Sequence, residues 1–195
     1  DYVLAKNALG ILKPMCLLFL KYSVGFILVA IVKFSQDRKS IVRVKDIPFF
    51  ILCSITGEIL YFTCEYTAMD YIPVSLITII LAFVPAVSIL IERIVFKKKF
   101  TAKMALGTII CILGVAIVIG ADFRELLQGR FIGYLLAFGA VLSWNAYNFI
   151  TANVSRHYTG ATMTFNQLLC TILILLPYAL HNMPETESFT PGIIG

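Results

Sequence analysis

Three long stretches without a charged residue, 71–91, 104–121 and 131–155, constrain the fold of this chain more than any other feature. An α-helix needs about 20 apolar residues to cross the ~30 Å of hydrocarbon in a bilayer, and each stretch is close to that length. Only 14% of the 195 residues are charged, and the mean hydropathy is +0.90, whereas about a quarter charged is usual for a soluble domain. The sequence therefore predicts an all-α, polytopic membrane helical bundle.

Proline, glycine and short polar segments divide the chain into predicted spans. Residues 1–12 are expected to be the end of a span whose beginning is absent, and Pro191 is expected to open another span that the chain does not complete. We therefore expect a fragment of a longer protein. The complete spans are predicted at 14–34, 47–69, 74–94, 104–121, 131–154 and 161–180.

The basic residues indicate how the spans are oriented. Most of them lie in alternate loops, within 33–45, within 93–103 and at Arg156. Because loops rich in Lys and Arg stay in the cytoplasm, this side is predicted to be cytoplasmic, in the plasma membrane. The net charge of +5 is therefore explained by span ends, and the absence of a single basic stripe argues against nucleic-acid binding.

A weak internal repeat relates two of the spans. Setting residues 18–30 beside 164–176 aligns Phe19 with Phe165 and Lys21 with Gln167. Five spans separate the two segments, so they would cross the membrane in opposite directions. Inverted repeats of this kind are common in secondary transporters.

Several motifs, in their order along the chain, resemble the EamA-type branch of the drug/metabolite transporter superfamily. They are Pro14 followed by Lys21, where the family usually has Arg, then Glu65-Tyr66-Thr67-Ala68, Pro85, Glu92-Arg93, Gly107 with Gly114, and the segment GYLLAFGAVLSWNAYNFITANVSR around Trp144. The resemblance implies a ten-helix transporter of two inverted five-helix repeats. It implies that residues 1–121 are the first repeat, with helix 1 truncated and helices 2–5 present. Residues 131–195 would then begin the second repeat, with helices 6–7 present and helix 8 cut off.

Ionisable residues within the spans are the first candidates for function, because each costs about 2.5–3.5 kcal/mol to insert. Glu58 lies half-way through its span, and Tyr61 and Glu65 follow it on nearly the same helical face. Lys21 lies at a depth comparable to Glu65, so that an ion pair is geometrically feasible. Glu58 is predicted to line a cavity and bind a cationic substrate or a proton, with Lys21 and Glu65 shaping its outer half. The alternative is structural, with Lys21 paired to Glu65 and Glu58 bonded to a neighbouring helix.

Trp144, Asn145 and Asn148 are further candidates for the substrate pathway. Trp144 lies near the middle of its span rather than in the interfacial belt where Trp is usual, and Asn145 and Asn148 share one face at i, i+3 spacing. Amides in a membrane either contact substrate or join helices, and both readings remain open.

Other features predict structure rather than chemistry. Asn166 and Gln167 are interpreted as helix–helix contacts, and Gly107, Cys111 and Gly114 as a small-residue packing face. Pro85 is expected to kink its helix.

Taken together, the residues predict a transmembrane transporter, an exporter of a small metabolite or drug that works by alternating access. The expected partners are a small-molecule substrate, the lipid bilayer and, as an open alternative, protons; an oligomer is compatible with the sequence. No catalytic residue, metal site or cofactor is predicted, and no Walker A pattern is present. A non-transporting membrane scaffold or partner subunit is the alternative. An integral membrane enzyme is less favoured, because Glu58 and Glu65 would be about 10 Å apart, too far to share a proton.

Overall fold

A computed structural model describes residues 13–36, 42–95, 97, 101–119 and 130–182, and within these ranges the chain forms helices and no strand. Five helices in this part of the chain are long and apolar enough to cross a membrane, and the apolar helix Ala102–Gly114 is shorter. The all-α membrane fold is confirmed, and each predicted complete span overlaps one helix. The helices are α1 (Pro14–Gln36), α2 (Val44–Ala68), α3 (Val74–Val95), α4 (Ala102–Ile119), α5 (Phe131–Val154) and α6 (Gly160–Asn182).

Some predictions fall on parts of the chain outside the described residues. These are the helix end at 1–12, the end of the fourth span at 120–121, the loop after it, and the span expected to open at Pro191.

Prolines set several of the helix boundaries. Pro14 is the first residue of α1, Pro48 lies in the first turn of the α-helical part of α2, and Pro73 directly precedes α3. Proline is tolerated at these positions because the first N–H groups of a helix have no partner within it. Pro85 lies inside α3, where its missing N–H and its ring disturb the preceding turn. The helix is interrupted just before it, at Ala82–Phe83, which confirms the predicted kink.

The helices pack in the spatial order α4, α3, α5, α2, α6, α1, and α1 also touches α2. The most extensive contact is between α1 and α6, which run antiparallel. Lys13 Nζ donates to Asn182 Oδ1 at one end of the pair (2.6 Å), and the Phe34 and Phe165 rings meet at the other, with centroids 5.8 Å apart. As a result α2 is enclosed by α1, α5 and α6.

The outer faces of the helices are apolar. Val24 and Ile31 on α1 are each 64% exposed, and Leu180 on α6 is 76% exposed. An apolar exterior of this extent is typical of helices whose surroundings are lipid or further helices rather than water. On α4, a Cβ added at Gly107 or Gly114 would meet nothing within 4 Å. The small-residue face predicted there therefore has no packing partner among the described residues.

A hydrogen-bonded contact fixes the start of α2 to the loop between α5 and α6. The Tyr158 hydroxyl donates to Asp46 Oδ2 (2.6 Å) and accepts from the backbone N–H of Arg43 (3.0 Å). The Tyr158 ring packs edge-on against Phe50, with centroids 5.6 Å apart. Loss of solvation, followed by the Asp46 carboxylate, raises the pKa of Tyr158. This contact orients α2 at the end opposite to Lys13.

Candidate polar site between four helices

The middle of α2 is not a regular α-helix. Residues Ser54–Leu60 form a π-helical turn with Glu58 inside it, and such turns are rare and often found at functional sites. Side-chain-to-backbone hydrogen bonds join it to both neighbouring helices. Ser143 Oγ on α5 donates to the carbonyl of Thr56 (2.6 Å), and Ser54 Oγ donates to the carbonyl of Gln167 on α6 (2.8 Å). The π-helical turn is thus held from both sides.

Gly57 lets α5 approach this turn closely. A Cβ on Gly57 would lie 2.5 Å from Cδ2 of Tyr147, so only glycine leaves room for the Tyr147 ring. The predicted return of Glu58 and Glu65 to one face assumes 3.6 residues per turn, and a π-helical turn departs from that spacing.

Glu58 has an amide as its hydrogen-bond partner. Its Oε1 accepts from Nε2 of Gln167 (3.0 Å), and Oε1 of Gln167 lies 3.5 Å from the donating hydroxyl of Tyr147. Gln167 is only 5% exposed. The side chains of α2, α5 and α6 are therefore joined through this one amide.

Tyr22 on α1 completes the surroundings of Glu58. It is 7% exposed, and its hydroxyl lies close enough to the Glu58 carboxylate to interact electrostatically. Within the described residues this hydroxyl makes no hydrogen bond of normal geometry. A buried hydroxyl without a partner is unfavourable by about 1–3 kcal/mol. A polar ligand that bonded to it would remove this cost.

Three aromatic rings form a continuous wall beside the π-helical turn. The Tyr61 and Trp144 centroids are 4.9 Å apart, and those of Trp144 and Tyr147 are 5.0 Å apart. The Tyr61 hydroxyl donates to Glu65 Oε1 (3.4 Å), and Glu65 is 2% exposed. The predicted residues Glu58, Tyr61, Glu65 and Trp144 are thus brought into one cluster.

The remaining predicted residues lie outside this cluster or at its margin. Lys21 is exposed, and its Nζ lies 4.7 Å from the centroid of the Phe62 ring. Lys21 and Glu65 are both within electrostatic reach of the Tyr66 hydroxyl, and their direct ion pair stays a prediction. Asn148 is exposed.

Asn145 is fully buried and joins α5 to α3. Its Nδ2 donates to the Val141 carbonyl (2.8 Å) and weakly to the Val84 carbonyl (3.5 Å), while its Oδ1 accepts from Ser88 Oγ. This arrangement favours the helix-joining reading of Asn145 over substrate contact.

Sequence reasoning did not assign Tyr22 or Gln167 to the site. Gln167 was interpreted as a helix–helix contact, and the one signal for it was its alignment with Lys21 in the internal repeat. No group of three or more His, Cys, Asp or Glu residues that could hold a metal ion occurs in the described part of the chain.

Comparisons with known proteins agree with this architecture. The profile of the EamA-like transporter family matches residues 1–120. The chain is similar to the "Probable terminal-alkyne amino-acid exporter" of Streptantibioticus cattleyicolor, with 23% identity over 137 residues that cover 69% of this chain and 44% of the relative. This chain therefore spans less than half the length of that relative.

A protein solved by crystallography has a similar fold. The two superpose with a TM-score of 0.69 at 15% identity, over 94% of this chain and 64% of the other. The family profile covers more than half of the sequence, and the superposition extends over nearly all of it. This chain belongs to the EamA-like transporter family.

Proposed function

We propose that the protein exports a small metabolite across the plasma membrane by alternating access, and that the cluster around Glu58 is its central site. The carboxylate of Glu58 supports this most directly. A carboxylate in the middle of a membrane helix costs several kcal/mol, with about 2.5–3.5 kcal/mol as the lower estimate. Its hydrogen-bond partner among the described residues, Gln167, is neutral, and Lys21, which lies within electrostatic reach of the carboxylate, is exposed. A functional role is the simplest reason for such a residue.

The position of the cluster supports alternating access. α1 and α2 belong to the first predicted repeat, and α5 and α6 to the second. Side chains of both groups meet at Glu58 through Tyr22 and Gln167. A relative movement of the two repeats would therefore change the surroundings of Glu58, as the inverted-repeat mechanism requires.

The relative from Streptantibioticus cattleyicolor supports export as the direction of transport and an amino-acid-like metabolite as the cargo. In this reading Glu58 binds either the cationic group of the substrate or a proton that is exchanged for it.

Counterflow of labelled amino acids into proteoliposomes tests the proposal. Glu58→Gln removes the charge but keeps the shape, and we expect uptake to fall by about 10- to 100-fold, the value of a charged hydrogen bond. Asp70→Asn is the matched control, because Asp70 is an exposed carboxylate in the turn after α2. Counterflow that is the same in the Glu58→Gln protein and in wild type would remove Glu58 from the mechanism.

A further inference from the structure

We propose that this site recognises a primary ammonium group, with Glu58 and Tyr22 as hydrogen-bond acceptors and the rings of Tyr61, Trp144 and Tyr147 as the wall beside it. The proposal rests on the proposed function, since it names the chemical class of the substrate that the transporter carries.

The charge of the cluster is the first property that favours an ammonium group. Glu58 donates nothing when ionised and can accept at both oxygens. Within the described residues its Oε1 accepts from Gln167, and the nearby Tyr22 hydroxyl makes no hydrogen bond of normal geometry. Lys21 and Tyr22 of α1 lie within electrostatic reach of the carboxylate, and Gln167 of α6 donates to it. The same cluster includes Tyr61 and Glu65 on α2 and Trp144 and Tyr147 on α5. Glu58 and Glu65 together outweigh Lys21, which is exposed at the margin. The cluster is therefore suited to a cation.

The hydrogen-bond acceptors of the site favour a cation with several N–H groups. The Tyr22 hydroxyl is buried, faces Glu58 and has no hydrogen-bond partner within the described residues. A ligand that bridged Glu58 Oε2 and the Tyr22 hydroxyl would satisfy both groups at once. A primary ammonium has three N–H donors and can do so, whereas a quaternary ammonium has none.

The wall of aromatic rings also favours a cation. Aromatic rings attract cations through the negative charge of their faces, and tryptophan does so most strongly. Trp144 lies between Tyr61 and Tyr147, and the Tyr147 ring packs against Gly57, the residue before Glu58. The rings also offer an apolar surface to the carbon skeleton of the substrate.

The sequence provides a direct probe of this site, because Trp144 is the only tryptophan in the chain. Its emission can be followed in the purified protein in lipid nanodiscs at pH 7, during titration with three compounds of matched size. Phenethylamine carries the primary ammonium, 2-phenylethanol is its neutral analogue, and trimethyl(phenethyl)ammonium is its quaternary analogue. We expect a saturable change with phenethylamine, at least about tenfold tighter than with either analogue, because hydrogen bonds between charged groups are the strong ones.

Two variants assign the contacts. Glu58→Gln should weaken phenethylamine binding by about 10- to 100-fold, and Tyr22→Phe by about 2- to 10-fold, as expected for one charged and one neutral hydrogen bond. Tyr178→Phe is the control for Tyr22→Phe, since Tyr178 is a half-buried tyrosine about three turns along α6 from Gln167. Circular dichroism and gel filtration select variants that fold as wild type does. Equal affinity for the amine and the alcohol, equal affinity for the primary and quaternary ammonium, or unchanged binding in Glu58→Gln would each overturn the proposal.

Counterflow in proteoliposomes separates this inference from the proposed function. If phenethylamine does not bind but a neutral or acidic solute is exchanged, the ammonium assignment is overturned and transport stands. If phenethylamine binds with the expected pattern but no solute is exchanged, transport is overturned and the ammonium site stands.

Discussion

Gly57→Ala should destabilise the helix bundle, although replacing glycine with alanine inside a helix usually stabilises it. The new Cβ would lie 2.5 Å from Cδ2 and 2.7 Å from Cγ of Tyr147, whereas carbon atoms in contact are normally about 3.5–4.0 Å apart. Rotation of the ring does not move Cγ away, since Cγ lies on the rotation axis. Either α2 and α5 separate by about 1 Å at this point, or Tyr147 leaves its rotamer.

The magnitude follows from two opposing effects. Alanine gains about 1 kcal/mol over glycine in a helix interior, and overpacking costs about 1–3 kcal/mol. Because the clash involves the base of the ring, we expect a cost near 3 kcal/mol and a net loss of about 2 kcal/mol. One kcal/mol shifts Tm by about 2–4 °C in a chain of this size, so Tm should fall by roughly 4–8 °C. Displacing Tyr147 also disturbs its contact with Gln167, and phenethylamine binding should weaken in parallel.

Thermal unfolding in detergent, followed by the fluorescence of Trp144, measures this effect. Gly107→Ala is the matched control: a Cβ there meets nothing within 4 Å, so its Tm should rise by about 2–4 °C. If Gly57→Ala is as stable as Gly107→Ala, the close approach of α2 and α5 is refuted.

Two further predictions concern polar contacts away from the cluster. Asn145→Leu should destabilise the protein by about 1–2 kcal/mol. Adding Ser88→Ala should lower the free energy of unfolding only a little further, because both changes break the same hydrogen bond. Additive losses in a double-mutant cycle would contradict this. Tyr158→Phe should lower Tm by an amount that stays constant from pH 6 to 9. Because the pKa of Tyr158 is raised, the stability from its bond to Asp46 is fully present below about pH 10, the ordinary tyrosine pKa, and is lost as pH rises through the higher folded value. Melting curves at several pH values would contradict the assignment if the difference disappeared below pH 9.

The membrane fold could be predicted from the sequence because its causes are local. Span length, the absence of charged residues and the position of proline each act within one segment. The interruption of α3 just before Pro85 is an example. Glu58 could be singled out for the same reason, since its depth in the span follows from counting residues. Its transport role stays a prediction.

The partners of Glu58 could not be predicted in this way. Tyr22 and Gln167 lie in apolar runs of distant helices, and nothing in either run indicates which neighbouring helix it will face. The π-helical turn has no clear sequence signal, because it depends on hydrogen bonds to α5 and α6, from Ser143 to its backbone and from its own Ser54 to the backbone of α6. For Asn145 the sequence allowed either substrate contact or helix joining, because it does not show that Ser88 on α3 lies within hydrogen-bond distance.

The antiparallel pair of α1 and α6 has a consequence for biosynthesis. Its two ends, Lys13 and Asn182, are separated by 169 positions in the chain. At a synthesis rate of about 5–20 residues per second, α1 waits roughly 10–30 s for its main partner to emerge. During that interval the bilayer itself must solvate α1, including the buried face that carries Tyr22. A chain truncated before residue 160 would therefore be inserted with α1 but without α6, the helix that α1 packs against most extensively.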